Sequence, residues 1–151
     1  MRLLIACCLC LSPLMIVAPV HADTAVDEAK KMEGTWAVIE VWSQGKKVEE
    51  EEIKKRSMVV EIKNNQWTVS LATSESKREM KAVLMPDTKP MGINLTMQAP
   101  DGMERTAKGI YEWQKDGTLR ICLPERGDMQ DRPTTFNSDN NNVILHFKKK
   151  S

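Results

Sequence analysis

The sequence predicts an all-β protein, a small antiparallel barrel of about eight strands with one short helix after the first strand. Three observations predict this fold class. Apolar residues recur with a period of two, as in strands that bury one face. Turn residues separate these runs at short intervals. One charged segment interrupts the pattern with helical spacing.

The period-two runs define the strands. In residues 91–97, for example, Met, Ile, Leu and Met alternate with Gly, Asn and Thr. Asn64-Asn65 suits a tight hairpin, because asparagine tolerates positive φ, and Asp116-Gly117 is a further turn signal. Closure into a barrel would also remove exposed strand edges. The predicted strands cover residues 35–42, 57–63, 66–72, 77–85, 91–98, 104–114, 118–123 and 143–148.

The charged segment is VEEEEIKKR at residues 48–56, and it predicts a short helix. Three of its four glutamates, Glu50, Glu51 and Glu52, precede a lysine or arginine by four residues, which is the favourable orientation for ion pairs on a helix. Two roles are open for this helix. It is either a lid over one barrel mouth or a solvated connection whose charges keep it soluble, and the connection is favoured.

Residues 1–22 predict an export signal. Arg2 precedes an almost wholly apolar run at residues 3–17, and a small-residue cleavage pattern ends at Ala22. The apolar run is too short for a membrane span. Cys7 ends a motif that looks like a lipoprotein box, but most of the apolar run follows it, so a lipid anchor is the less favoured alternative.

This signal sets the expected domain organisation and compartment. The expected parts are a signal peptide at 1–22, a leader or single helical turn at 23–32, the barrel domain at 33–148 and a tail at 149–151. The protein is expected to be exported to the periplasm, the cell envelope or the medium. A chain of the remaining size buries enough surface to fold without a disulfide or a metal.

The composition excludes several classes of function. Without residues 1–22 the chain has 21 basic and 21 acidic residues, which argues against a nucleic-acid binder. Cys122 and His146 are then the only cysteine and histidine, whereas a zinc site needs three or four ligands. Cys122 is expected to pack as a small apolar residue and His146 to face outward. We therefore expect no catalytic residue, metal or cofactor.

The apolar interior is the candidate site. A barrel of about eight strands holds either packed side chains or one small ligand, and methionines make such a lining adaptable. The expected function is non-enzymatic binding of a small hydrophobic molecule; the alternative is a structural or protein-interaction module of the envelope with a filled core. Membrane contact is expected only through a lipid at Cys7. The candidate pocket residues are Trp67, Tyr111, Trp113, Met58, Met91 and Met97.

Several landmarks along the chain carry a family resemblance. They are Glu33-Gly34-Thr35-Trp36, Gly45-Lys46, Asp87-Thr88-Lys89-Pro90, Ile93-Asn94-Leu95, Lys108-Gly109-Ile110-Tyr111-Glu112, Leu119-Arg120-Ile121-Cys122 and Arg132-Pro133-Thr134-Thr135-Phe136. In this order and spacing the chain resembles a family of small exported lipocalin-like domains, much expanded in planctomycete bacteria and without assigned function. The resemblance implies a lipocalin-like barrel, and it carries over no catalytic residue and no ligand.

The resemblance also suggests how the barrel is closed. In lipocalin-like barrels an arginine near the last strands often packs across the tryptophan of the first strand. Gly34, Trp36 and Arg132 are the expected closing residues here, with Arg132 making a cation–π contact to Trp36.

Overall fold

The computed structural model describes residues 21–127 and 131–151. This part of the chain contains nine strands and two helices. In chain order they are α1 (His21–Met32), β1 (Gly34–Ser43), β2 (Lys46–Lys47), α2 (Glu50–Arg56), β3 (Val59–Lys63), β4 (Gln66–Leu71), β5 (Ser74–Met85), β6 (Met91–Gln98), β7 (Glu104–Trp113), β8 (Leu119–Pro124) and β9 (Asn142–Lys149).

Eight of these strands form a closed antiparallel barrel. Each strand from β3 to β8 pairs with the next in sequence, and β1 pairs with both β3 and β9. Trp36 faces Val60 on one side of β1, and Val38 faces Phe147 on the other. The predicted fold class is therefore confirmed. β2 is an additional two-residue strand paired with the end of β1, too short to show a period in the sequence.

Helix α2 follows the first strand, as the charge spacing predicts. Glu50 pairs with Lys54 at 2.8 Å and Glu52 with Arg56 at 2.6 Å. Both pairs are exposed, so they contribute little to the stability of the folded chain. The helix is held instead by Ile53, which is buried in the main core.

Helix α1 lies across one end of the barrel, which we call the base. The sequence predicts a leader or single turn at 23–32, whereas the structure has a 12-residue helix from His21 to Met32. Thr24 hydrogen-bonds Asp87 in the β5–β6 turn, and Met32 is buried beside the start of β1. The segment is rich in charge, so its short apolar stripe gives a weak helical signal.

The base of the barrel is densely packed. The indole Nε1 of Trp36 donates a hydrogen bond to the Met32 carbonyl at 2.7 Å. The rings of Trp36 and Trp113 lie 5.8 Å apart between centroids and are tilted by 49°. Trp36, Tyr111 and Met32 are all almost fully buried. This end therefore has a filled core.

Residues 131–141, which we call the outer strap, lie against the outside of the barrel wall. Phe136 of the strap packs on a small second core formed by Ile110, Cys122 and Ile144. These three residues face away from the barrel interior, so the strap shields apolar surface that the strands leave outside. In the described part of the chain, no helix is both long and apolar enough to cross a bilayer.

Candidate functional site

The barrel is hollow at the end opposite α1, which we call the mouth. The cavity there has a volume of about 370 Å³, toward the lower end of the ~300–1,000 Å³ typical of small-molecule sites. Apart from Gly127 and three arginines, every described residue that lines it is apolar. The lining residues are Met58, Val60, Trp67, Val69, Arg78, Met80, Leu95, Met97, Arg105, Ala107, Ile121, Leu123, Arg126, Gly127, Leu145 and Phe147.

The alternation of the strands places these side chains. On β6, Leu95 and Met97 point inward while Thr96 between them does not line the cavity. The buried members of the lining, such as Trp67 and Ile121, are 1–4% exposed. Three methionines lie among the remaining members, and their flexible thioether chains let a lining adapt to different shapes. The site is thus a deformable apolar chamber at the mouth of the barrel.

Three arginines surround the mouth: Arg78 on β5, Arg105 at the start of β7 and Arg126 in the turn after β8. All three line the cavity and are nevertheless exposed, as is typical of arginines that lay the stem on apolar surface and keep the guanidinium in water. Arg105 also forms an ion pair with Asp101 at 2.8 Å. No described residue that lines the cavity carries a negative charge.

Sequence reasoning missed this arginine rim, although a signal was present. Arg78 stands two residues before Met80, and Arg105 stands two residues before Ala107. Extending the period-two alternation one step toward the strand ends would have placed both arginines on the inward face. Charged residues at strand ends usually face solvent, so this signal is weak in the sequence.

The structure divides the six predicted pocket residues between the two ends. Trp67, Met58 and Met97 line the cavity. The other three are Tyr111, Trp113 and Met91, and they belong to the main core without lining the cavity. Inward periodicity selects both groups equally, because it reports which face a side chain is on and not whether that end of the barrel is filled.

Helix α1 accounts for the filled end. Trp113 donates its Nε1 hydrogen to Glu28 at 2.7 Å, and Lys31 Nζ lies 4.2 Å from the centroid of the Trp113 ring. Tyr111 is fully buried, and its hydroxyl has no hydrogen-bond partner among the described residues. Burial, reinforced by the Glu28 carboxylate, raises the pKa of Tyr111. Tyr111 is therefore a neutral core residue.

The prediction that Arg132 contacts Trp36 is wrong. The cation over the Trp36 ring is Lys149, whose Nζ lies 5.5 Å from the ring centroid. Gly34 makes room for it: φ at Gly34 is +127°, and an added Cβ would lie 2.6 Å from Lys149 Cε. Gly34 and Trp36 thus both lie at the base, and the cation beside them is Lys149 of the last strand and not Arg132.

Arg132 lies instead on the outer wall, where the strap crosses β6 and β7. Its guanidinium donates hydrogen bonds to the carbonyls of Ile93 and Gly109, the first at 3.3 Å. It also donates to Asn94 Oδ1 at 2.7 Å. Gly92 leaves space for it, since an added Cβ would lie 2.8 Å from Arg132 Nη1. Arg132 therefore ties the strap to the sheet from outside.

A second concave region, on the outer wall beside the strap, contains Glu40, Arg120 and His146. Glu40 accepts hydrogen bonds from Lys47 and Trp42, both at 2.6 Å, and the bond from Lys47 in particular lowers the pKa of Glu40. Burial lowers the pKa of His146, so the neutral imidazole is favoured. The charges here largely satisfy one another.

Cys122 is buried beneath the outer strap. Burial raises the pKa of its thiol to about 11, so the reactive thiolate is scarce near neutral pH. Within residues 21–127 and 131–151 no cluster of three or more His, Cys, Asp or Glu side chains could hold a metal ion.

Comparisons of the chain with protein-family models, with curated proteins and with solved structures find no match. The class of protein is therefore defined by this chain's own geometry. It is a closed eight-stranded antiparallel barrel, filled at the base and hollow at the mouth, with a cationic rim around an apolar cavity.

Proposed function

We propose that the protein is an exported, non-enzymatic lipocalin-like carrier that holds a small hydrophobic ligand in the barrel. The observation that carries this proposal is the apolar cavity of about 370 Å³ at the mouth. A barrel that served only as a rigid module would gain stability by filling this space, since a cavity destabilises the folded state. Membership of the lipocalin-like family described above is part of the same proposal.

The lining supports binding more than catalysis. No described lining residue is a histidine, cysteine, serine or carboxylate, so the cavity wall lacks the usual nucleophiles and general bases. Its polar groups are guanidiniums, which bind and orient but stay protonated near neutral pH and so do not serve as general bases. The site is equipped to hold a molecule and not to transform it.

The cavity size sets the expected affinity. At the ~30 Å³ that a water molecule occupies in the liquid, the volume corresponds to roughly a dozen non-hydrogen atoms. A binding energy of about 0.6 kcal/mol per atom, inside the usual range for small ligands, gives about 7 kcal/mol. We therefore expect a dissociation constant on the order of 10 μM.

Filling the cavity is expected to weaken binding strongly. Ala107 lines the chamber, so Ala107→Phe places a ring where the ligand would lie. The measurement is a titration with decanol, followed by tryptophan emission because Trp67 is in the wall. We expect the Ala107→Phe variant to lose at least about tenfold in affinity, the equivalent of about 1.4 kcal/mol.

Val83→Phe is the matched control, because Val83 lies on the outside of β5 and is 49% exposed. It introduces the same ring without entering the cavity, and its affinity should equal that of the unmodified chain. If neither decanol nor a wider panel of apolar probes binds the unmodified protein, the carrier function is wrong. The filled interaction module then becomes the better account.

Export is tested separately, by the mass of the protein recovered from its native host. We expect a chain beginning at Asp23, which retains every described side-chain contact of α1, from Thr24 to Met32. Residues 1–20 lie outside the described part of the structure. A chain that retains Met1 would contradict export, and an acylated chain starting at Cys7 would establish the lipid-anchored alternative.

A further inference from the structure

We infer that the ligand is an amphipathic anion, with a hydrocarbon tail in the cavity and an oxyanion head group, such as a carboxylate or phosphate, at the arginine rim. The inference rests on the proposed carrier function and deepens it. The chamber accommodates roughly a dozen non-hydrogen atoms, so the tail has about ten carbons. The rim then supplies the recognition that an apolar wall cannot.

The rim arginines converge from separate parts of the chain. Three of the six arginines in the described chain line this one mouth, and they come from β5, β7 and the turn after β8. These positions are distant in sequence and are brought to the same end of the barrel by the pairing of β5 to β8. Guanidinium groups present planar forks of N–H donors that match carboxylate and phosphate oxygens.

Positive charge outweighs negative charge among the described residues that line the cavity. Arg105 forms an ion pair with Asp101. That pair is exposed, and one such contact uses only part of the five N–H donors that a guanidinium carries. Arg78 lies opposite Val69 on β4, an apolar neighbour that offers no counter-charge. The mouth is therefore an electropositive opening above an apolar floor.

The rim arginines both line the cavity and are exposed to solvent. Arginine commonly lays its apolar stem on apolar surface and keeps its guanidinium in water. A linear amphiphile entering tail first would place its own head group at the same level as these guanidiniums. A neutral head group would accept hydrogen bonds from the guanidiniums without forming an ion pair, and a cationic one would be repelled.

The test compares probes with one tail and different heads. The full mature chain is titrated at pH 8 with decanoate, decyl phosphate, decanol and decyltrimethylammonium, by calorimetry and tryptophan emission. We expect decanoate or decyl phosphate to bind about tenfold more tightly than decanol, and the cation to bind most weakly. The tighter of the two anions identifies the head group. Because the rim is exposed, 0.5 M NaCl should reduce the preference.

The double variant Arg78→Gln/Arg105→Gln tests the rim itself. It should lose about tenfold in affinity for the anions and keep the affinity for decanol, which also shows that the variant is folded. Arg56→Gln is the control away from the rim: it removes one arginine charge from α2, on a residue that does not line the cavity. It should leave both affinities unchanged.

The outcomes separate the two proposals. Equal binding of decanoate, decyl phosphate and decanol overturns the anion inference and leaves the carrier function standing. The same holds if the anion preference survives in the double variant, or if Arg56→Gln removes it equally. Failure of all four probes to bind overturns the carrier function itself. The comparison of heads on the unmodified chain does not depend on any variant folding.

Discussion

Replacing Trp36 with alanine is expected to lower the free energy of unfolding by about 3–5 kcal/mol. The side chain is 1% exposed, and its indole donates to the Met32 carbonyl. Removal would therefore open a cavity under α1 and leave that carbonyl without this partner. The Trp113 ring, 5.8 Å away, would lose its aromatic neighbour as well. Urea denaturation of the purified chain measures the loss.

Trp42→Ala is the matched control for this prediction. Trp42 is also on β1, but it is only partly buried, packs outside the barrel and donates to Glu40 at 2.6 Å. We expect it to cost about 1–2 kcal/mol. Equal losses in the two variants would contradict the special role of Trp36, because they would mean that any tryptophan on this strand contributes the same amount.

Replacing Arg132 with alanine is expected to lower the free energy of unfolding by about 2–4 kcal/mol. The substitution removes the hydrogen bonds from the guanidinium to Ile93, Gly109 and Asn94. These bonds connect the outer strap to two strands, so their loss should also loosen the strap. Faster hydrogen exchange at the strap amides, with the base unaffected, would locate the change.

Arg56→Ala controls for the loss of an arginine as such. Arg56 is exposed and pairs only with Glu52 in the contacts described for α2, so its removal should cost less than about 0.5 kcal/mol. If Arg132→Ala unfolds at the same urea concentration as the unmodified chain, Arg132 does not hold the strap. If the two variants lose equal stability, the outer-wall hydrogen bonds contribute nothing beyond surface charge.

The strands and α2 could be predicted because their signals are local. A period of two can be recognised from neighbouring residues alone. The four-residue spacing of Glu50 and Lys54, which predicts the helix, is equally local. The pairing of β1 with β9 is different, because Val38 and Phe147 lie far apart in sequence. The alternating pattern favoured closure through the need to cover strand edges, but it could not give the register.

The candidate site was predictable only in part, for a physical reason. Met91 and Met97 have the same inward phase on β6, yet Met91 belongs to the filled base and Met97 to the hollow mouth. Which end is hollow depends on α1, whose Met32 and Glu28 pack against the base. No residue on β6 itself encodes that contact. The Lys149–Trp36 contact escaped prediction likewise, because it depends on where the last strand ends.

Both ends of the barrel domain meet at the base. Helix α1 carries the chain into β1 there, and Lys150 donates a backbone hydrogen bond to Thr35 where the chain leaves β9. A tether, fusion partner or solid support attached close to either point would hold the molecule with its arginine rim turned outward. Such a molecule would exchange cargo with whatever approaches from solution, and not with the surface that carries it.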